Sequence, residues 1–135
     1  MINVLRRGGA IALLFGGLTA CAEQQAVGEE DPFEPEYKGV ATRLLDDDLV
    51  AFDLTMSGAR DGADVQRYGD CAAAQYALIR GYGYARHLRT NTSQSGEIWQ
   101  GDAVYTISAE KPAGLNIIVA EDTVAECRDE AIPTV

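Results

Sequence analysis

The stretch Val50–Met56 sets the firmest limit on what this chain can become. Val50, Phe52, Leu54 and Met56 alternate with Ala51, Asp53 and Thr55. A strand sends successive side chains to opposite faces, so this strict period of two gives one apolar face and one polar face. Such a strand is half-buried and needs a sheet around it. Upstream, Val40, Thr42 and Leu44 alternate with Ala41, Arg43 and Leu45, and Asp46-Asp47-Asp48 lies between the two runs. Consecutive aspartates disfavour a strand and suit a turn, so the two runs are expected to form a β-hairpin.

Downstream the period changes. Ser57–Gly62 is a polar break, and from about Val65 to Arg80 the chain is rich in alanine. Tyr68, Cys71, Ala74, Gln75, Leu78 and Tyr82 there fall on one helical stripe. Asp61, Asp64 and Asp70 lie at or near the start of this helix, where carboxylates cap free N–H groups and suit the helix dipole. Gly81 and Gly83 are placed to end it. Tyr84, Arg86, Leu88 and Thr90 then alternate with Ala85, His87, Arg89 and Asn91, a third strand with His87 on its more polar side.

Asn91–Gly96 reads as a turn. Ile98–Ser108 reads as a fourth strand, with Ala103, Tyr105 and Ile107 on one face and Gly101-Asp102 as a candidate bulge. Lys111–Gly114 is a further turn, Leu115, Ile117 and Val119 a fifth strand, and Asp122–Arg128 a short helical turn. The order ββαβββ lacks the strand–helix alternation that builds a parallel sheet. The expected fold is therefore α+β and two-layered: an antiparallel sheet of four to five strands with one main helix on one face.

The N-terminus carries a different message. Arg6 and Arg7 precede a short apolar run, Ile11–Leu18, which ends in Leu18-Thr19-Ala20-Cys21. Crossing a bilayer takes roughly 20 apolar residues, and the stretch from Gly8 to Ala20 is too short and too rich in glycine for that. It has the layout of a secretory leader. The last four residues resemble the lipobox of bacterial lipoprotein precursors. That resemblance implies cleavage of residues 1–20, lipidation of Cys21 (palmitate-like acyl chains) and attachment to a membrane facing an extracytoplasmic space. Two or three acyl chains anchor stably where one does not. Ala22 stands where an aspartate would favour retention at the inner membrane, so the implied site is the periplasmic face of the outer membrane. Arg6-Arg7 lacks the flanks of a twin-arginine signal. The segment Cys71–Thr106, with its Gly-Tyr-Gly-Tyr break, is similar in style to small proteobacterial envelope lipoproteins of uncharacterised function, and transfers no functional residues.

Residues 21–38 read as a lipidated cysteine and an acidic tether, with Glu29-Glu30-Asp31-Pro32-Phe33-Glu34-Pro35-Glu36 held extended by proline and charge repulsion. Residues 39–135 then form a single domain. The formal charge of −10 becomes −12 once Arg6 and Arg7 leave with the leader. That balance argues against nucleic acid as a partner and against electrostatic adhesion to anionic lipid. The expected partners are the membrane, through the acyl chains on Cys21, and a protein of the envelope. With Cys21 acylated, Cys71 and Cys127 are left as an even pair in an oxidising compartment, and one disulfide between them is expected.

No residue pattern amounts to a catalytic, cofactor or metal motif. The lone histidine, His87, has no serine or acid at a telling spacing. Asp46-Asp47-Asp48 lacks the alternating ligands, central glycine and closing glutamate of an EF-hand loop. Ser93, Ser95 and Ser108 sit in no nucleophile elbow, and Gly81-Tyr82-Gly83 is not a dinucleotide fingerprint. Arg86 and Arg89 with Tyr84 could hold an anion, though such residues more often pair with a chain's own acids. Trp99, Tyr82, Tyr84 and Tyr105 are the candidate interaction surface, because Trp and Tyr are enriched at binding hot spots. The reading is a non-enzymatic, lipid-anchored envelope module. Its rival is a small ligand- or calcium-binding domain, or a carboxylate-dependent enzyme of the periplasm.

Overall fold

A computed structural model describes residues 32–135. The leader, the lipobox and the first part of the tether lie outside the described residues. The elements run β1 (Glu36–Asp46), β2 (Leu49–Ser57), α1 (Gly62–Ile79), β3 (Tyr84–Ser95), β4 (Ile98–Ser108), β5 (Ile117–Val119) and α2 (Ala120–Asp129). The strands form one sheet in the order β1-β2-β4-β3-β5, and every neighbouring pair is antiparallel. The fold is α+β, with α1 as the main helix. β1 begins at Glu36, so the last residues of the segment 21–38 belong to the sheet.

The alternation in β2 does what its period requires. Val50, Phe52, Leu54 and Met56 are fully buried beneath α1, and Asp53 faces the other way. Ala103, Tyr105 and Ile107 of β4, Ala85 of β3 and Ile118 of β5 complete this layer. The rings of Tyr76 and Tyr105 each stand edge-on to Phe52 at 5.8 Å, the arrangement that aromatic quadrupoles favour. α1 sits so close to the sheet that two glycines are required. A Cβ on Gly69 would lie 2.9 Å from the Tyr105 hydroxyl, and one on Gly101 would lie 2.5 Å from Val65 Cγ1. Gly101 is therefore a close-approach residue and not a bulge; β2 and β4 pair in unbroken register past it.

α1 starts at Asp61, whose carboxylate accepts from Ala63 N at 3.0 Å. It ends as glycine allows: Gly81 has φ 81°, and the N–H groups of Gly81 and Tyr82 return to the carbonyls of Leu78 and Ala77. Its small alanines face both the sheet and a second helix. α2 was expected as a short turn but forms ten residues of helix that pack on α1. Its apolar signal is thin, since only Ala120, Thr123 and Cys127 are buried. A disulfide joins Cys71 of α1 to Cys127 of α2, with Cα atoms 5.9 Å apart, as the cysteine count implied. Arg67 adds ion pairs from α1 to Glu126 and Glu130 at 3.2 and 2.9 Å.

Two strand boundaries and one register depart from expectation. β3 runs on through Asn91–Ser95, which its polar composition marked as a turn, because β4 supplies a pairing partner along the whole length. A bulge between His87 and Arg89 shifts its register. Ala85 and His87 consequently face α1 while Arg89 emerges on the opposite face, so His87 is not on the polar side of its strand. β5 is only Ile117–Val119, and Leu115 lies outside it in a loop, 79% exposed. The buried residue of β5 is Ile118; Ile117 and Val119 share the face of Arg86 and Tyr84.

Candidate functional site

Both helices lie on one face of the sheet, which leaves the other face open. The register fixes what that face carries. Ala41, Asp53, Asp102 and Asn91 form one row across β1, β2, β4 and β3; Arg43, Ala51, Val104 and Arg89 form the next. Thr55, Gln100 and Ser93 form the row on the other side. Two carboxylates directly opposite each other on neighbouring strands would repel. Here each has a cation. Arg43 donates to Asp53 at 2.9 and 3.3 Å, and Arg89 approaches Asp102 at 3.4 Å. Arg43 also reaches toward Asp102 Oδ1 at 3.6 Å, too long for a hydrogen bond, and among the described residues that oxygen has no hydrogen-bond donor although it is shielded from water. The hydrogen bond that Arg43 donates to Asp53 and the charge of that carboxylate raise the already high pKa of Arg43.

Next to this ion-pair row lies a shallow hollow of about 370 Å3. Asp53, Thr55, Asn91, Ser93, Gln100 and Asp102 bring their side chains to it, and Leu54, Thr92 and Gly101, whose side-chain positions point toward the helix, contribute main chain. The arrangement offers hydroxyls, amides and pre-paired carboxylates on a rigid floor. It suits hydrogen bonding to a polar surface. It has no acid–base pair near an apolar wall of the kind that tunes a carboxylate for catalysis.

A second polar group sits between α1 and the sheet. The Tyr105 hydroxyl donates to Asp70 at 2.6 Å, the His87 ring lies 5.2 Å from the Tyr105 ring, and His87 Nε2 is 2.7 Å from Thr90 Oγ1. Burial pushes the Asp70 carboxyl above the usual carboxylate range, against the pull of the Tyr105 hydrogen bond and of His87 and Arg67. Burial and the adjacent carboxylate push the Tyr105 hydroxyl far up. Asp70 is thus an anchor between helix and sheet and not a helix cap, while Asp64 pairs with Arg60 at 2.8 Å and is held below the usual carboxylate range by it. His87 and Tyr105 were marked by the sequence only as a lone histidine and a candidate surface aromatic. Their partnership needed the bulge and the position of α1 to become visible.

The four aromatic residues expected at one interaction surface are not together. Tyr105 is fully buried, because its place on β4 puts it with Ala103 and Ile107 under α1. Trp99 pairs in register with Met56 and Gln94, also on the helix side, and is half-buried at the far end of the sheet. Tyr84 is on the open face, and Tyr82 closes the C-terminal turn of α1. Asp46 closes β1 and Asp47-Asp48 form the turn to β2, with Asp47 N donating to Asp46 Oδ1 at 2.8 Å. Arg86 donates to the Leu115 carbonyl at 3.3 Å and Arg89 pairs with Asp102, so Arg86, Arg89 and Tyr84 do not converge on an anion. Among the described residues no three His, Cys, Asp or Glu side chains converge as metal ligands, and no helix is long and apolar enough to cross a membrane.

An uncharacterised 26.9 kDa protein from the nqo8 5' region of Paracoccus denitrificans is 35% identical to this chain over 110 residues, which is 78% of this chain and 43% of that protein. The chain therefore spans less than half the length of this curated relative. No solved structure matches it. The family model of the YNQ4 C-terminal domain matches residues 37–131, a range that takes in both helices and, but for Glu36, every strand. The chain belongs to the YNQ4 C-terminal domain family.

Proposed function

We propose that this domain is a binding module of the cell envelope, held to the periplasmic face of the outer membrane by acyl chains on Cys21 and spaced from it by the acidic tether. The observation that carries the binding role is the open sheet face: a concave surface lined by polar side chains, with Asp53 paired to Arg43 and Asp102 to Arg89, free of the helices that cover the opposite face. Paired charges cost less to desolvate on contact than bare ones, so such a face discriminates by geometry. The lipobox-like Leu18–Cys21 and the disulfide between α1 and α2 support the compartment. The Paracoccus relative carries the matched region in a chain more than twice as long, which fits a domain that works against another body. A role as an enzyme has less support, because Asp70, whose carboxyl lies between helix and sheet, is engaged with Tyr105 inside the fold.

Site-specific photocrosslinking in cells tests this. A photoreactive residue at Ser93 or Gln100 on the open face should give one discrete adduct, and the same residue at Asp129 at the end of α2 should not. Adducts that are absent at both open-face positions, or equal at all three, contradict the proposal.

A further inference from the structure

On one side the sheet ends in a strand that is only partly covered. β3 runs from Tyr84 to Ser95 and pairs with β4 along that length, but β5 covers only Tyr84–Arg86. Just past β5, the His87 N–H still donates to the Asn116 carbonyl at 3.1 Å. Beyond that point, among the described residues, nothing pairs with the outer edge of Leu88–Ser95. Such an edge presents a row of free N–H and C=O groups, a template for another strand. We propose that this edge pairs with the same edge of a second copy of the chain, antiparallel and about a two-fold axis at Ser93, so that the two sheets join edge to edge.

Proteins blunt a free edge with charge, with bulges or by keeping it short. The other edge of this sheet carries such devices. The register of β1 breaks between Tyr37 and Gly39 and between Leu44 and Asp46, and Lys38, Arg43 and Asp46 are charged. Thr90–Ser95 has none of them. It pairs with β4 in unbroken register, and Thr-Asn-Thr-Ser-Gln-Ser holds no charge and no proline. Three features fit a second copy to this edge. Hydroxyls and amides both donate and accept, so the segment is complementary to itself. Pairing about Ser93 sets Ser93 against itself, Thr92 against Gln94 and Asn91 against Ser95, which keeps every open-face side chain on the open face. The same register brings Arg89 of each copy to the level of Glu97 in the other, and these are the two charges that flank the segment. Arg89 is free to respond, because it holds Asp102 only loosely, at 3.4 Å. Leu88 and Leu115 are 44% and 79% exposed beside the start of the free stretch, where the β3–β4 turn of the second copy would cover them. The acidity of the domain opposes self-association at long range, but salt screens it over about 8 Å at physiological ionic strength. The paired segment is far shorter than the roughly 20–30 residues a side of a standard interface, so the dimer is weak and reversible.

Opposed residues of an antiparallel pair have Cα atoms roughly 4.5–5.5 Å apart, within reach of a disulfide. The full chain in maltoside detergent is oxidised with copper phenanthroline and its mass is read on a non-reducing gel. The wild type, whose Cys71 and Cys127 are bridged, sets the background. Ser93→Cys should cross-link to a dimer, and so should a mixture of Asn91→Cys and Ser95→Cys chains. Either of those two alone, and Thr42→Cys on the β1 edge, should stay at background. Sedimentation in density-matched detergent at increasing concentration reads the affinity. Ser93→Lys sets two ammonium groups face to face at an exposed position, so it should keep the wild-type Tm and weaken the dimer on the order of tenfold. Edge pairing and binding by the open face fail separately, because Gln100 lies one strand in from this edge: a dimer-sized photoadduct from Ser93 with none from Gln100 supports edge pairing alone. A monomer at every concentration, cross-linking at Thr42 as fast as at Ser93, no gain on mixing the Asn91 and Ser95 variants, or unchanged affinity in Ser93→Lys overturns the proposal.

Discussion

Removing the disulfide should destabilise this domain mainly through its unfolded state. The bridge closes a loop with a sequence separation of 56 residues. In the chain-entropy model a loop of that length restrains the unfolded chain by about 4 kcal/mol at room temperature. Both cysteines are fully buried, so replacing each with alanine adds a small cavity and loses some dispersion contact. The native helix pair keeps other ties: Ile132, which is buried, the α1–α2 packing, and the Arg67 ion pairs, whose exposed partners make them worth at most about 1 kcal/mol. The Cys71→Ala/Cys127→Ala variant is therefore expected to remain folded and to lose about 3–5 kcal/mol, a large part of the 5–15 kcal/mol typical of a domain. Urea unfolding followed by far-UV circular dichroism measures it. The mechanism makes a second demand. An unbridged unfolded chain is more expanded, so the m-value of the variant should exceed that of the oxidised protein. A loss below about 1 kcal/mol with an unchanged m-value would refute the loop-closure account.

Four further outcomes follow from particular contacts. Gly101→Ala places a methyl group 2.5 Å from Val65 Cγ1 and should cost about 1–3 kcal/mol in thermal or urea unfolding, while Gly83→Ala, which meets nothing within 4 Å, should be close to neutral. Helix ends give a matched pair: Gly81→Ala forces a left-handed alanine and should destabilise by about 1 kcal/mol, whereas Ala131→Gly relieves one at φ 56° and should stabilise by a similar amount. Asp70 sets a pH dependence. Its folded pKa lies above its ordinary value of 3.8, so the protonated form is favoured by folding; its stabilising contribution is fully present below pH 3.8 and is lost as pH rises through the folded pKa. Asp70→Asn should remove that decline from the stability–pH curve, and a curve unchanged in the variant would contradict the assignment. Tyr105→Phe leaves the Asp70 carboxylate without its hydroxyl donor and should cost about 1–3 kcal/mol at neutral pH.

The parts of the fold that were legible are those whose signal is local. The period of two in β2 predicted the buried set Val50, Phe52, Leu54 and Met56, and the alanine-rich stripe predicted α1 together with the glycines that end it. The cysteine count predicted the bridge. What was not legible depends on partners distant in sequence. Nothing in Asn91–Ser95 marks a strand; β4 makes it one. The bulge beside Leu88 has no residue signature, yet it decides that His87 faces Tyr105 and that Arg89 faces Asp102. Gly101 looks like a bulge residue until Val65 is seen above it. α2 has too little apolar surface to announce itself, because most of its contact is with α1. The hollow on the open face is assembled from residues of three separate strands. Its side chains read individually as ordinary polar strand residues, so no motif could have pointed to it.

The central claim is that this module works from a lipid anchor outside the cytoplasm, and the measurement that tests it most directly is metabolic labelling with an alkyne-bearing fatty acid in bacteria that express the full chain. The wild type should acquire the label and lose residues 1–20, and Cys21→Ala should remain unlabelled. Equal labelling of the two, or no label on either while the leader is retained, would contradict the anchor and the localisation built on it.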